Sequence, residues 1–77
     1  MSQQELIEKL KKEANGNPEF YCAEMEDLGW PGFELIKYRS DKWLAKFWNP
    51  NYTEKITGFG ENPEMAMAAA WWKAQEA

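Results

Sequence analysis

The last third of the chain holds a helix that is apolar on nearly every side, and no other feature constrains the fold as much. From Asn62 it reads Asn62-Pro63-Glu64-Met65-Ala66-Met67-Ala68-Ala69-Ala70-Trp71-Trp72-Lys73-Ala74. Asn62 is a good N-cap, and Pro63 at the first helical position loses no hydrogen bond, because its amide would have no intrahelical acceptor there. Consecutive helical side chains point about 100° apart, so Trp71 and Trp72 cannot both lie at the centre of one buried stripe. Met65, Ala68, Ala69 and Trp72 form one apolar stripe, and Met67, Ala70, Trp71 and Ala74 form most of another. A sheet covers one of them. The other needs a second element of this chain, another copy, or a partner.

The stripe that carries Trp72 begins a turn earlier, which predicts that Trp72 faces the sheet and Trp71 faces outward. On that reading Trp71 anchors an intermolecular contact with Met65 or Met67 beside it, since Trp is enriched at interface centres and Met adapts to irregular partners.

A chain of 77 residues is read as one domain, 1–77. It is near the size at which a single core only just suffices without disulfides or metal. Five Trp, four Phe and three Tyr supply the apolar area that so short a chain needs. The lone Cys22 has no partner for an internal disulfide, and no charged-then-apolar leader is recognisable, which points to a cytosolic chain. No apolar run approaches the roughly 20 residues of a membrane span. The net charge of −4 is uneven: residues 1–28 carry three Lys against seven acids, residues 29–56 five basic residues against three acids, and residues 57–77 one Lys against three acids. The middle of the chain is basic and both ends are acidic.

Ser2 and Glu5 have the spacing of a capping box and start a first helix, with Leu6, Ile7, Leu10 and Ala14 at helical spacing and Asn15-Gly16 as its stop. Asn17-Pro18-Glu19 starts a second helix that Gly29 ends. Three strands follow, at 33–38, 42–48 and 54–59, the first two joined by a turn at Ser40-Asp41. Alternation puts Trp43, Ala45 and Phe47 on one face of the second strand and Lys42, Leu44, Lys46 and Trp48 on the other, so Trp43 and Phe47 are expected in the core and Trp48 partly exposed. The fold class is α+β, a layered helix-helix-strand-strand-strand-helix domain. Its three-stranded antiparallel sheet carries at least the first and last helices.

With those elements in order, the chain resembles the phage ABA-sandwich domain family. The resemblance rests on Glu5-Leu6-Ile7-Glu8-Lys9-Leu10 before a turn, a short helix closing on Leu28-Gly29-Trp30, a strand hairpin, and the proline-led alanine-rich helix from Asn62 to Ala70. The Trp71-Trp72 pair departs from the family pattern. The resemblance implies a layered fold and a phage origin, hence the host cytoplasm, but it brings no established activity and no catalytic residue. The order of elements is also similar to that of double-stranded RNA-binding domains, including Phe59-Gly60 before an Ala-rich helix. Such domains hold phosphates with lysines at the start of the last helix, where this chain has Glu61 and Glu64, so nucleic acid is not an expected partner.

Histidine is absent, which removes the usual general base and metal ligand. Cys22 has Glu24 and Glu26 nearby, which disfavours a reactive thiolate. Gly58-Phe59-Gly60 lacks the third glycine of a dinucleotide fingerprint and reads as a turn or strand end. No catalytic residue, metal or cofactor is expected. The chain therefore reads as a non-catalytic phage accessory protein that binds a host or phage protein, with Trp71, Met67, Trp48 and Met65 as contact residues. The specific form expected is an inhibitor of a host antiviral system of CRISPR or nuclease type, a link made by association with small acidic phage proteins. Two alternatives stand beside it. One is a structural protein whose excess apolar surface closes a homodimer. The other is a nucleotide or small-molecule binder in which Trp48, Trp43 or Trp30 stacks a base and Lys46, Lys42, Arg39 or Lys37 meets a phosphate.

Overall fold

Side-chain caps open all three helices of the computed structural model, which describes residues 2–76. The first, α1 (Gln3–Ala14), begins where Ser2 Oγ accepts the Glu5 amide at 3.2 Å. The second, α2 (Pro18–Asp27), begins where Asn17 Oδ1 accepts the Glu19 amide at 3.0 Å. The third, α3 (Pro63–Glu76), begins where Asn62 Oδ1 accepts the Met65 amide at 2.9 Å. Each cap satisfies an amide that the helix itself cannot. α1 closes on Asn15, whose left-handed backbone turns its amide onto the Lys11 carbonyl.

Between α2 and α3 run β1 (Gly32–Arg39), β2 (Lys42–Trp48) and β3 (Lys55–Gly60), antiparallel in the order β1-β2-β3. Leu35 lies opposite Ala45 and Ala45 opposite Gly58, while Ile36 lies opposite Leu44 and Leu44 opposite Phe59. The expected α+β order and the sheet are present, with β3 one residue later than the sequence suggested.

The inner face of the sheet receives α3 at unusually short range. A Cβ at Gly58 would run into the Ala70 amide nitrogen and the Ala66 carbonyl, and one at Gly60 would meet the Ala66 nitrogen at 2.5 Å. The two glycines are therefore a landing for the helix backbone, and Gly60 is also the strand end that the sequence suggests. Small side chains on α3 complete the fit. On its other side α3 is covered by α1 and α2, which pack on the helix and scarcely on the strands. The order of layers is thus sheet, α3, then α1 with α2, which corrects the expectation that the first helix packs on the sheet.

One core cluster runs through those layers: Ala45 and Phe47 from β2; Ala66, Met67, Ala68, Ala70 and Ala74 from α3; Leu10 and Ala14 from α1; Tyr21 and Met25 from α2. Phe47 is buried and Trp43 packs against the cluster, as alternation predicted, and Trp48 on the opposite face is only partly buried. Two expectations for α3 are corrected. Met67 is 2% exposed and belongs to the core, so it offers nothing to a partner. Trp71 packs against the core beside Leu6 and Leu10 of α1, whereas Trp72 is partly buried without being among the side chains packed on that cluster. Of the second apolar stripe, Trp71 is covered by a helix of the same chain, while the Ala70 backbone lies against Gly58 of the sheet.

Candidate binding surface on the open sheet face

Among the described residues no helix lies over the outer face of the sheet. Parity along the strands gives it Glu34, Ile36 and Tyr38 from β1, then Lys42, Leu44, Lys46 and Trp48 from β2, then Lys55, Thr57 and Phe59 from β3. Apolar and cationic side chains alternate along β2, so lysine stems lie between hydrophobic neighbours while their ammonium groups remain solvated.

At one end of the face the Tyr38 and Phe59 rings lie 6.0 Å apart, and Lys42 Nζ stands 4.6 Å from the Phe59 ring centre and 5.9 Å from that of Tyr38. Between Ile36 and Phe59 in the ladder, Leu44 is only 7% exposed, so this end has a small apolar floor of its own. The ladder is irregular between Lys37 and Arg39, and Arg39 pairs with Lys42 across the hairpin, which brings a second cation to the Tyr38–Phe59 end. A shallow depression lined by Arg39, Asp41, Lys42, Phe59 and Glu61 opens beside it.

At the other end Trp48 and Tyr52 lie 5.9 Å apart, with Lys55 Nζ 5.1 Å from the Trp48 ring. Asn49 builds the loop that places Tyr52: its Oδ1 accepts the amides of Thr53 at 2.8 Å and Glu54 at 3.1 Å, and its Nδ2 donates to Thr53 Oγ1 at 2.8 Å. Tyr52 takes a left-handed backbone, φ 57°, and its ring reaches back to Gly32, where an added Cβ would meet it at 3.0 Å. Midway along the face Lys46 Nζ lies 3.5 Å from Glu34 Oε1, an exposed pair of small energetic weight.

Of the residues singled out from sequence, Arg39, Lys42, Lys46 and Trp48 are brought to this one face. Met65, Met67 and Trp71 are not brought together. Met65 is exposed in a groove of about 370 Å³ between α1 and α3, with Lys11 Nζ 3.6 Å from its sulfur. Trp71 lines a different groove, with Lys9, Glu13 and Glu24 at its rim. The face also holds Tyr38, Phe59, Tyr52 and Lys55, which sequence reasoning did not select. Their parity along β1 and β3 was readable; the register that sets Phe59 beside Tyr38 was not.

Away from this face, two groups have shifted ionisation. Tyr21 is buried and donates its hydroxyl to Glu64 Oε2 at 3.0 Å, and burial together with that carboxylate pushes its ionisation well above the ordinary tyrosine range. Burial first, and the Glu19 charge second, push the Cys22 thiol up as well. Among the described residues no three of His, Cys, Asp or Glu gather as metal ligands, and no helix is long and apolar enough to cross a membrane. Comparison with protein-family models, with curated proteins and with solved structures finds no match to this chain.

Proposed function

We propose that the protein is a small non-catalytic accessory protein that acts by binding a macromolecule, and that the outer face of the sheet is the surface it uses. One observation carries this reading: Tyr38 is 62% exposed and Phe59 47%, both beside Lys42, and Tyr52 is 63% exposed against Trp48, which has Lys55 over it, on a face that no described helix covers. Aromatic rings and long cationic stems are the side chains enriched where partners bind, and a large side chain left exposed in so short a chain is one the core does not use.

The resemblance to phage ABA-sandwich proteins supports a phage origin and a place of action in the host cytoplasm. Small size and an acidic balance support an inhibitor of a host antiviral system, of CRISPR or nuclease type, as the specific form. A capture experiment from host lysate, comparing the chain with its Tyr38→Ala/Phe59→Ala and Met65→Ala variants, tests the surface. A bound partner lost with the ring pair and kept with Met65→Ala supports the outer face. The reverse result moves the interface to the α1–α3 groove, and a dimeric molar mass that falls to monomer in the ring variant makes the partner a second copy.

A further inference from the structure

We propose that the outer face binds single-stranded nucleic acid, with bases stacked on its aromatic rings and phosphates met by Arg39, Lys42 and Lys55. The inference rests on the reading of this face as the working surface and adds the chemistry of its occupant. It starts from the pairing of rings with cations. Lys42 stands over Phe59 and Tyr38, and Lys55 stands over Trp48, so each ring pair has an ammonium within about one nucleotide's reach. An amine over an exposed ring is weakly held. It can give up the ring to a base and turn to the adjoining phosphate, which is the division of labour of proteins that bind single strands.

Shape decides the size of the ligand. Lys42 and Trp48 are six residues apart on one strand, about 20 Å. That span is too long for one nucleotide and suits a strand of about four or more. A duplex is excluded from this mode, because its base faces are already stacked.

Charge favours this side over the rest of the chain. The segment 32–60 carries five basic residues against three acids; Lys37 stands over Trp43 away from the outer face, Glu34 is held by Lys46, and Asp41 with Glu61 lines the depression beside Lys42, which leaves Arg39, Lys42 and Lys55 for phosphates. The rest of the chain carries four basic residues against ten acids and repels a polyanion. An acidic protein surface would satisfy the lysines equally well. The two ring pairs, one at each end of the face with an ammonium beside each, favour a strand of successive bases and phosphates over it.

Fluorescence anisotropy with a labelled oligothymidylate of about 12 nucleotides, at about 50 mM salt, tests the proposal on the full chain. Binding is expected, with log K falling against log salt at a slope of about −2 for three phosphate contacts. Tyr38→Ala and Phe59→Ala should each weaken it about tenfold, and Lys42→Ala should make the slope shallower by about 0.7. Lys12→Ala on α1 should change neither. No binding at low salt overturns the proposal, and so does binding that polyglutamate of equal charge displaces as well as oligothymidylate and that survives both ring substitutions. If oligothymidylate fails while a captured protein depends on Tyr38 and Phe59, the nucleic-acid inference falls and the reading of the face stands. If no ligand responds to these substitutions, both fall.

Discussion

Helix α3 and the outer face of the sheet are both rich in large apolar side chains, yet the first is absorbed into the fold and the second is left open. The reason is geometric. A helix that is apolar all round can be covered from opposite sides, and α3 takes the sheet on one and the α1–α2 layer on the other. A sheet has only two faces, and a chain of this length supplies helices for one of them. Apolar excess in a sequence therefore does not locate a binding surface. The count of available layers does.

The comparison is broken most directly by truncating one phenylalanine on each face of the sheet. Phe47 is buried between the sheet and α3, and Phe47→Ala should cost about 3–5 kcal/mol, enough to unfold a domain with this little core. Phe59→Ala, on the open face, should cost about 1 kcal/mol or less. Urea denaturation of the two variants measures the difference, and equal midpoints would show that the outer face is a second core.

The tryptophan pair on α3 sharpens the same contrast. Trp71 meets α1 and has Glu13 and Glu24 at the rim of its groove, so Trp71→Glu loses packing and adds a third negative charge there. A loss of at least about 2 kcal/mol is expected. Trp72→Glu, at a partly buried side chain outside the core cluster, should cost less than Trp71→Glu. This order reverses the one that the sequence suggests, and thermal melts of both variants check it.

The reversal shows what could be read before the fold was known. Caps at Ser2, Asn17 and Asn62, and period-two alternation in β2, are set by a few neighbouring residues, and they placed the three helix starts and the inner face of β2 correctly. Periodicity also identified two apolar stripes on α3. It could not say which element lies against which stripe, because that depends on contacts between residues distant in sequence. Gly58 and Gly60 illustrate the gap: locally they weaken a strand, and only the approach of Ala66 and Ala70 gives them a purpose. The candidate surface was half legible for the same reason. Arg39, Lys42, Lys46 and Trp48 were named as one set, while Tyr38 and Phe59 became neighbours only through the register of three strands.

The hydrogen bond from Tyr21 to Glu64 ties α2 to the start of α3 and gives the buried side a pH signature. Burial and the carboxylate both favour the neutral phenol, so the folded chain keeps this proton at pH values where the unfolded chain releases it. The stabilisation is complete below about pH 10 and is lost as pH rises through the alkaline range above it. Tyr21→Phe should cost about 1–2 kcal/mol at neutral pH. It should also flatten the decline in stability above about pH 10. Denaturation midpoints across that range, for both proteins, check the sign, and an equally steep alkaline decline in the variant would assign it to another group.

Lys42 should give the smallest effect on stability, and for that reason it separates the two regions most sharply. Its ammonium rests over Phe59 and Tyr38 on the open face, an exposed cation–π contact worth about 0.5–1 kcal/mol. Lys42→Ala should lower the melting temperature of so small a domain by about 2–8 °C. Lys42→Met, which keeps an unbranched stem and removes the charge, should recover part of that loss by packing alone. Lys42→Arg should recover most of it, because a guanidinium also stacks on aromatic rings. Such a graded series belongs to a surface whose cation is replaceable in the fold and therefore free to serve a ligand. A loss from Lys42→Ala as large as that from Phe47→Ala would instead mean that Lys42, Tyr38 and Phe59 close the outer face as a structural lid, and the open region of the comparison would be open no longer.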